Sequence, residues 1–197
     1  MDIMAELAAI ANTNGGIIET KVAARCGISK AMLSKLCKAG SIQRIFRGQY
    51  ILPDGAEDEL LSISLLSDNV VFSHGTALYL HGISDRTPFE HTVTAPSGHI
   101  PSGLMRSECK VFYIKSDLFE LGRTELLTPA GNRVPAYDLE RTVCDIVRSR
   151  NKIGTETFLA ALKMYAASPK KDLNKLNNYA KQLRVSNIIR PYLEVLL

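Results

Sequence analysis

The sequence predicts an α+β protein with two domains. Up to residue 40, apolar residues recur at three- and four-residue steps and glycines follow each run, as expected for short helices. Further along the chain, strand-like runs alternate with helical patterns, as in a mixed α/β domain that ends in a helical segment. The charge changes sign at the turn signal Pro53-Asp54-Gly55, which predicts domains of residues 1–54 and 55–197.

Three short helices are expected first. Residues 3–11 place their apolar side chains on one helical face, and Asn14-Gly15-Gly16 ends that helix. After a short apolar link, Thr20 is expected to cap a second helix that ends at Gly27, and Ser29 to cap a third that ends at Gly40. Two short helices joined by a glycine-containing turn form a helix-turn-helix pattern.

A β-hairpin is expected directly after the third helix. Residues 41–52 contain two short β-like runs, and Arg47-Gly48-Gln49 supplies the turn between them. A hairpin in this position is a wing. Residues 1–54 are therefore predicted to form a winged helix-turn-helix.

The charge of this module points to a nucleic acid. Seven bases and no acid lie between Thr20 and Tyr50, within a chain whose net charge is only +4. The third helix is predicted to turn small and basic side chains outward, which suits a major groove about 12 Å wide. Duplex DNA is favoured over single strands, because no run of exposed aromatic residues is present for stacking. The predicted DNA-binding residues are Thr20, Lys21, Ser29, Lys30, Ala31, Ser34, Lys35, Lys38, Arg44, Arg47 and Gln49.

Two ordinary explanations compete with DNA binding. Lysines on a helix face are commonly just a solvated surface, and helix-turn-helix shapes also serve as protein contacts. The combination of three helices in order, turn glycines, a wing and an acid-free stretch favours DNA.

Several segments resemble AbiEi-type antitoxins. Residues 16–21, 27–36 and 40–53 are similar to the N-terminal domain of that family. Residues 72–82 (FSHGTALYLHG) and 137–145 (YDLERTVCD) resemble the two segments by which its C-terminal domain is recognised. The resemblance covers most of the chain up to about residue 150, and the helical tail adds no motif to it.

The resemblance implies a bacterial abortive-infection system that defends against phage. Members of this family repress their own operon by binding inverted repeats in its promoter. They also neutralise a nucleotidyltransferase-like toxin, an effect attributed to the C-terminal domain without a stable complex. The resemblance transfers no catalytic residue.

The second domain offers no convincing active site in its sequence. Helices are expected over residues 57–66, 73–80, 138–148, 155–167, 172–183 and 186–196, and strands over 69–72, 92–95, 110–114, 124–128 and 133–137. The polar candidates for catalysis do not converge, and we expect no enzyme, cofactor or metal site. They are His74, His81, His91, His99, Asp85, Glu90, Cys109 and Asp117. His74 is interpreted as a first-turn residue beside the Ser73 cap, His81 as a cation at a helix end, and Arg141 with Asp145 as an ordinary ion pair within a helix.

Other classes of function stay open at this point. A hydrolase or transferase regulated by the N-terminal module would need histidines and acids gathered in one cleft, and a pure protein-interaction adaptor would co-purify with the toxin. The bases between residues 163 and 190 form a tail that either contacts DNA or keeps the protein soluble. Without a membrane span or an export signal, and with four cysteines far apart, the protein is expected in the cytoplasm. We expect a monomer in solution that pairs on DNA.

Overall fold

The computed structural model describes residues 2–84 and 87–196. The chain forms two compact units, one of residues up to Leu66 with Ala130–Asn132 and one of Ser67–Pro129 with the residues from Arg133 onward. The N-terminal unit is thus longer than the predicted module and includes the helix after the turn at Pro53-Asp54-Gly55. A boundary of the DNA-binding module at residue 54 stays a prediction.

The N-terminal unit contains the three predicted helices, the wing and one further helix. Its elements are α1 (Ile3–Thr13), β1 (Ile18–Glu19), α2 (Thr20–Arg25), α3 (Lys30–Lys38), β2 (Gln43–Phe46), β3 (Gln49–Ile51) and α4 (Glu59–Ser64). Ser29 caps α3 as expected, since its Oγ accepts a hydrogen bond from the Met32 amide at 3.2 Å. The expected Thr20 cap is wrong, because Glu19 takes the N-cap position of α2 and Thr20 is the first helical residue.

A small sheet joins the wing to the helices. Its strand order is β1-β3-β2, so the short apolar link expected after α1 is in fact an edge strand. Ile18 pairs with Tyr50, and both side chains are buried with Leu7 of α1 and Leu33 of α3. This core fixes the position of α3 against the wing, because each element contributes side chains to it.

The C-terminal unit is a mixed sheet packed with helices. Its elements are β4 (Val71–Phe72), α5 (His74–Leu80), β5 (His91–Pro96), α6 (Gly103–Glu108), β6 (Cys109–Ile114), β7 (Arg123–Leu127), β8 (Arg133–Tyr137), α7 (Leu139–Arg148), α8 (Thr155–Ala167), α9 (Leu173–Gln182) and α10 (Ser186–Leu196), with a 3-10 turn at Ser116–Leu118. The strand order is β6-β5-β4-β8-β7. Strands β5 and β6 run parallel, as do β4 and β8, while the β4–β5 and β7–β8 pairs are antiparallel.

Helix α7 lies at the centre of this unit. Every residue from Leu139 to Val147 is buried, although the helix contains Glu140, Arg141 and Asp145. Buried charges are tolerated only when they are paired and hydrogen-bonded, so the polar partners of α7 decide how this unit is held together.

Candidate DNA-binding surface

Helix α3 turns its predicted basic face to solvent. Leu33 is fully buried, whereas Ala31, Ser34, Lys35 and Lys38 are exposed. Positions 31, 34, 35 and 38 form one stripe of an α-helix because they are separated by three, four and seven residues. The first helical residue, Lys30, is exposed as well. The N-terminal unit therefore presents three lysines and two small residues on a surface that its own core leaves free.

The wing carries two exposed arginines, one in β2 and one in the turn that follows it. Arg44 and Arg47 are both exposed, and the Nε of Arg44 donates to the carbonyl of Phe46 at 3.3 Å. The strand register shifts between Arg44 and Phe46, so Ile45 is an extra residue in β2. A bulge of this kind increases the local twist of a hairpin and redirects its tip.

Gln49 does not project from the wing, and the prediction that it does is wrong. Its side chain is 3% exposed, and its Nε2 donates to the carbonyl of Ser62 in α4 at 3.0 Å. All three residues of β3 are buried, since β3 is the central strand of its sheet and α4 covers part of it. A two-stranded hairpin would leave one face of β3 in solvent, but the pairing with β1 and the cover by α4 bury it.

Thr20 and Lys21 lie at the start of α2 and are already engaged within the unit. The hydroxyl of Thr20, which is half-buried, donates to the carbonyl of Gly48 at 3.1 Å. This bond ties α2 to the wing turn. The Nζ of Lys21 lies 3.0 Å from a carboxylate oxygen of the buried Glu19, although 58% of the lysine side chain stays exposed.

Residues 72–82 and 137–145, the two segments that resemble the family's C-terminal domain, are called here the first and second recognition segments. The first of them centres on a buried histidine. His74 is 1% exposed, and its two ring nitrogens lie 2.9 Å from the hydroxyls of Ser73 and Ser149. Its ring stacks on Phe112 with centroids 3.7 Å apart. Burial lowers the pKa of His74 to about 4, so the ring is neutral at pH 7.

Ser73 takes the N-cap position of α5, as expected, but its side chain does not cap the helix. Its Oγ instead accepts from Thr94 at 2.9 Å. His74 itself has a backbone φ of +48°, in the left-handed region that non-glycine residues seldom adopt. The serine and threonine bonds around the ring hold this conformation.

The second recognition segment contains a fully buried ion pair. Arg141 and Asp145 are both 0% exposed, and the Nε of Arg141 donates to the Asp145 carboxylate at 2.9 Å. The guanidinium also donates to the carbonyls of Leu118 and Leu121 and lies over the Tyr137 ring. The expected ion pair within the helix is confirmed, but it is fully buried and also joins α7 to the loop before β7.

His81 is not a helix-end cation either. Its Nε2 lies 2.9 Å from the carbonyl of Tyr137, and burial lowers its pKa below the ordinary value of 6.5. A carbonyl can only accept, so the neutral ring carries its proton on Nε2. The two recognition segments are thus joined by His81, which lies at the end of one and bonds the first residue of the other.

The remaining catalytic candidates take separate positions. His91 is buried beside Phe72, Cys109 is buried, and Glu90 and Asp117 are exposed. His99 is half-buried in the loop after β5, and Asp85 lies outside the described residues. In the part of the chain that the structure describes, no three His, Cys, Asp or Glu side chains could hold a metal ion together. No helix there is long and apolar enough to cross a membrane.

The basic tail is partly neutralised by acids of its own unit. The Nζ of Lys175 lies 3.0 Å from Asp138 and 3.8 Å from Glu140, and Arg190 pairs with Glu194 at 2.8 Å. The remaining exposed bases of the tail are Lys163, Lys170, Lys181 and Arg184. Contact between this tail and DNA stays a prediction.

Comparison with known families decides the class of protein. A family described as AbiEi antitoxin C-terminal domain matches residues 69–194, and one described as transcriptional regulator, AbiEi antitoxin, matches residues 5–53. The chain belongs to the AbiEi antitoxin family. It is accordingly an antitoxin and a transcriptional regulator with a winged helix-turn-helix at its N-terminus.

A solved structure has a fold similar to that of this chain. The crystal structure of the RV2827C protein from Mycobacterium tuberculosis has a TM-score of 0.67 to this chain, covering 95% of it and 74% of that protein. The sequence identity is 15%, so the similarity shows the fold alone. No curated protein matches the chain.

Proposed function

We propose that this AbiEi antitoxin represses its own operon by binding inverted repeats in the promoter through α3 and the wing. The observation that supports this most directly is the exposed face of α3, where three lysines surround Ala31 and Ser34 with no acid between residues 20 and 50. Small residues let the helix axis approach the bases closely, and lysines supply donors for phosphates and base edges.

The wing extends the contact to flanking backbone. Arg44 and Arg47 are exposed on the hairpin that follows α3, and arginine is favoured wherever the minor groove narrows. With the three lysines of α3, they give five candidate phosphate contacts. Five contacts correspond to a salt slope of roughly −4 to −5 in log K against log salt for duplex DNA.

The antitoxin role is assigned to the C-terminal domain. We expect it to counteract a nucleotidyltransferase-like toxin without forming a stable complex. An inverted repeat has two half-sites and needs two winged helix-turn-helix modules, which two monomers that pair on the DNA would provide. We expect the protein to act in the cytoplasm, because its operator DNA lies there.

Promoter binding at several salt concentrations tests the proposal. Replacing Lys35→Ala or Lys38→Ala should flatten the salt slope by about one unit each where the lysine meets a phosphate. If the lysine contacts a base edge, the salt slope stays the same and the preference for the promoter sequence becomes weaker instead. The matched control is Arg25→Ala, which removes an exposed base from α2 outside the predicted surface. Equal affinity for promoter and random duplex would contradict specific repression.

A further inference from the structure

A cleft in the C-terminal unit lies at the ends of two parallel strands. Ser97 directly follows β5 and Lys115 directly follows β6, and both residues line a cavity of about 420 Å³. The ends of α7 and α9 contribute Arg148 and Arg184 to the same cavity. Crevices outside the carboxyl ends of neighbouring parallel strands are the usual ligand sites of α/β sheets.

The charges of this cleft favour an anion. Lys115, Arg148 and Arg184 line it, against Asp117 as the one carboxylate among the described lining residues. The guanidinium of Arg148 is held in place, because its Nε lies 3.5 Å from Asp145 and its Nη2 donates to the carbonyl of Tyr113 at 3.3 Å. Neither Lys115 nor Arg184 forms an ion pair with an acid in the described part of the chain.

An exposed aromatic ring borders the same cleft. Tyr113 is the residue before the last of β6 and is 44% exposed, although its neighbours Phe112 and Ile114 are buried. A planar base can stack on such a ring, and one stacked base contributes about 1–3 kcal/mol in single-strand binding proteins. Anion-binding cations beside a stacking surface are the two elements of nucleotide recognition.

Arg184 occupies a position that the backbone disfavours for arginine. Its φ is +58°, and it follows the end of α9 where glycine or asparagine is usual. The last turn does not require its side chain, since the backbone amides of Arg184 and Val185 already donate to the carbonyls of Lys181 and Ala180. A strained arginine that the helix end does not need suggests that its side chain serves a ligand.

We propose that this cleft binds a nucleotide, with the phosphate held by Lys115, Arg148 and Arg184 and the base stacked on Tyr113. The site goes beyond the proposed promoter binding, because none of its residues belongs to α3 or the wing. A free mononucleotide and the terminal nucleotide of a strand present the same chemistry, so both are included in the test.

Calorimetric titration of the full chain tests the cleft with five probes. These are inorganic phosphate, AMP, adenosine, and a short single-stranded RNA with or without a 5′-phosphate. We expect AMP to bind more tightly than phosphate or adenosine alone, because it uses both the cations and the ring. Preference for the 5′-phosphorylated RNA over AMP would assign the ligand to a strand end, and the reverse would assign it to a free nucleotide.

Variants separate the two parts of the site. Arg184→Gly should weaken AMP binding about tenfold, as expected for the loss of one charge-assisted contact, while the melting temperature stays equal or rises because glycine fits the left-handed backbone. Tyr113→Ala should weaken AMP and leave inorganic phosphate unchanged. The matched control is Arg106→Ala, which removes an exposed arginine from the last turn of α6, away from the cleft.

Three results would overturn the proposal. The first is no binding of any phosphate-bearing probe by the wild-type chain. The second is AMP binding that Arg184→Gly leaves unchanged, or that Arg106→Ala weakens equally. The third is an effect of Arg184→Gly on duplex promoter DNA alone, which would make this arginine a backbone contact of the operator. A fall in melting temperature for Arg184→Gly would show that arginine stabilises the helix end. The left-handed backbone of Arg184 would then no longer support a role in ligand binding.

Discussion

Single residues of the C-terminal domain explain why its two recognition segments contain buried polar side chains. His74 and Arg141 are polar residues in a core, and each has hydrogen-bonding partners there: two serine hydroxyls for the histidine, and Asp145 with two carbonyls for the arginine. Removing one partner would leave a buried group unsatisfied, which costs several kcal/mol for a charge. The two segments therefore contain residues that hold the packing of this domain.

At this scale we predict that His74 makes stability depend on pH. Its pKa is about 4 in the folded chain and 6.5 when unfolded, so below pH 6.5 the unfolded chain takes up a proton that the folded chain does not. This contribution to stability is complete above pH 6.5 and is lost as the pH falls to about 4, a change of roughly 3 kcal/mol. His74→Asn, which tolerates the positive φ, should show a correspondingly smaller loss.

Urea unfolding of both proteins at pH 7.5, 5.5 and 4.5 measures the difference. Comparison above pH 7 serves as the internal control, because the histidine does not titrate there in either state. Parallel pH profiles for wild type and His74→Asn would show that another group is responsible.

Helix α3 shows how one element combines stability with binding. Ser29 caps it through the Met32 amide, and Leu33 anchors it in the core, so the exposed stripe is held on a fixed axis. Gly40, at a φ of +74°, ends the helix in a conformation that suits glycine. The same residue, Ser29, belongs both to the helix cap and to the predicted DNA surface, and these roles can be separated.

We predict opposite outcomes for two substitutions at Ser29. Ser29→Ala removes the cap and should lower the unfolding free energy by about 1 kcal/mol. Ser29→Asp keeps a capping oxygen and should retain stability, but it adds a negative charge at the start of α3 and should weaken promoter binding. Thermal unfolding and gel shifts of the two variants provide the measurements. If Ser29→Asp binds the promoter as wild type does, Ser29 lies outside the interface.

At the scale of the whole molecule, regulation and antitoxicity are expected on different compact units. The regulator family matches residues 5–53 and the antitoxin domain matches residues 69–194, which correspond to the two units of the fold. The exposed lysines of α3 belong to the first unit, and the histidine and arginine networks belong to the second. Changes on the surface of α3 should therefore leave the second core intact.

The corresponding prediction is separable loss of function in the full-length chain. The double variant Lys35→Ala/Lys38→Ala should release a promoter reporter while it still protects cells that express the toxin. Reporter activity and colony survival are measured in the same strain, with the wild-type chain and the Arg25→Ala variant as references. Loss of protection together with repression would mean that antitoxicity depends on DNA binding.

The sequence alone determined the local structure of most elements. Capping residues, glycine stops and apolar periodicity predicted α3 and the wing, and they predicted the bounds of β8, α8 and α10 closely. These signals are local, because a cap or a turn involves residues only a few positions apart. The exposed lysines of α3 followed from the same periodicity.

Tertiary structure decided what lies on the second face of each element. Gln49 is buried because α4 covers the central strand, and His74 is neutral because Phe112 and two serines surround it. Arg184 and Lys115 line the same cleft, although they lie far apart in the sequence. Each of these relations joins residues far apart in the chain, and burial changes the energy of a polar group far more than its sequence neighbours do. Only the folded chain could therefore show which polar residues hold the core and which remain free to bind.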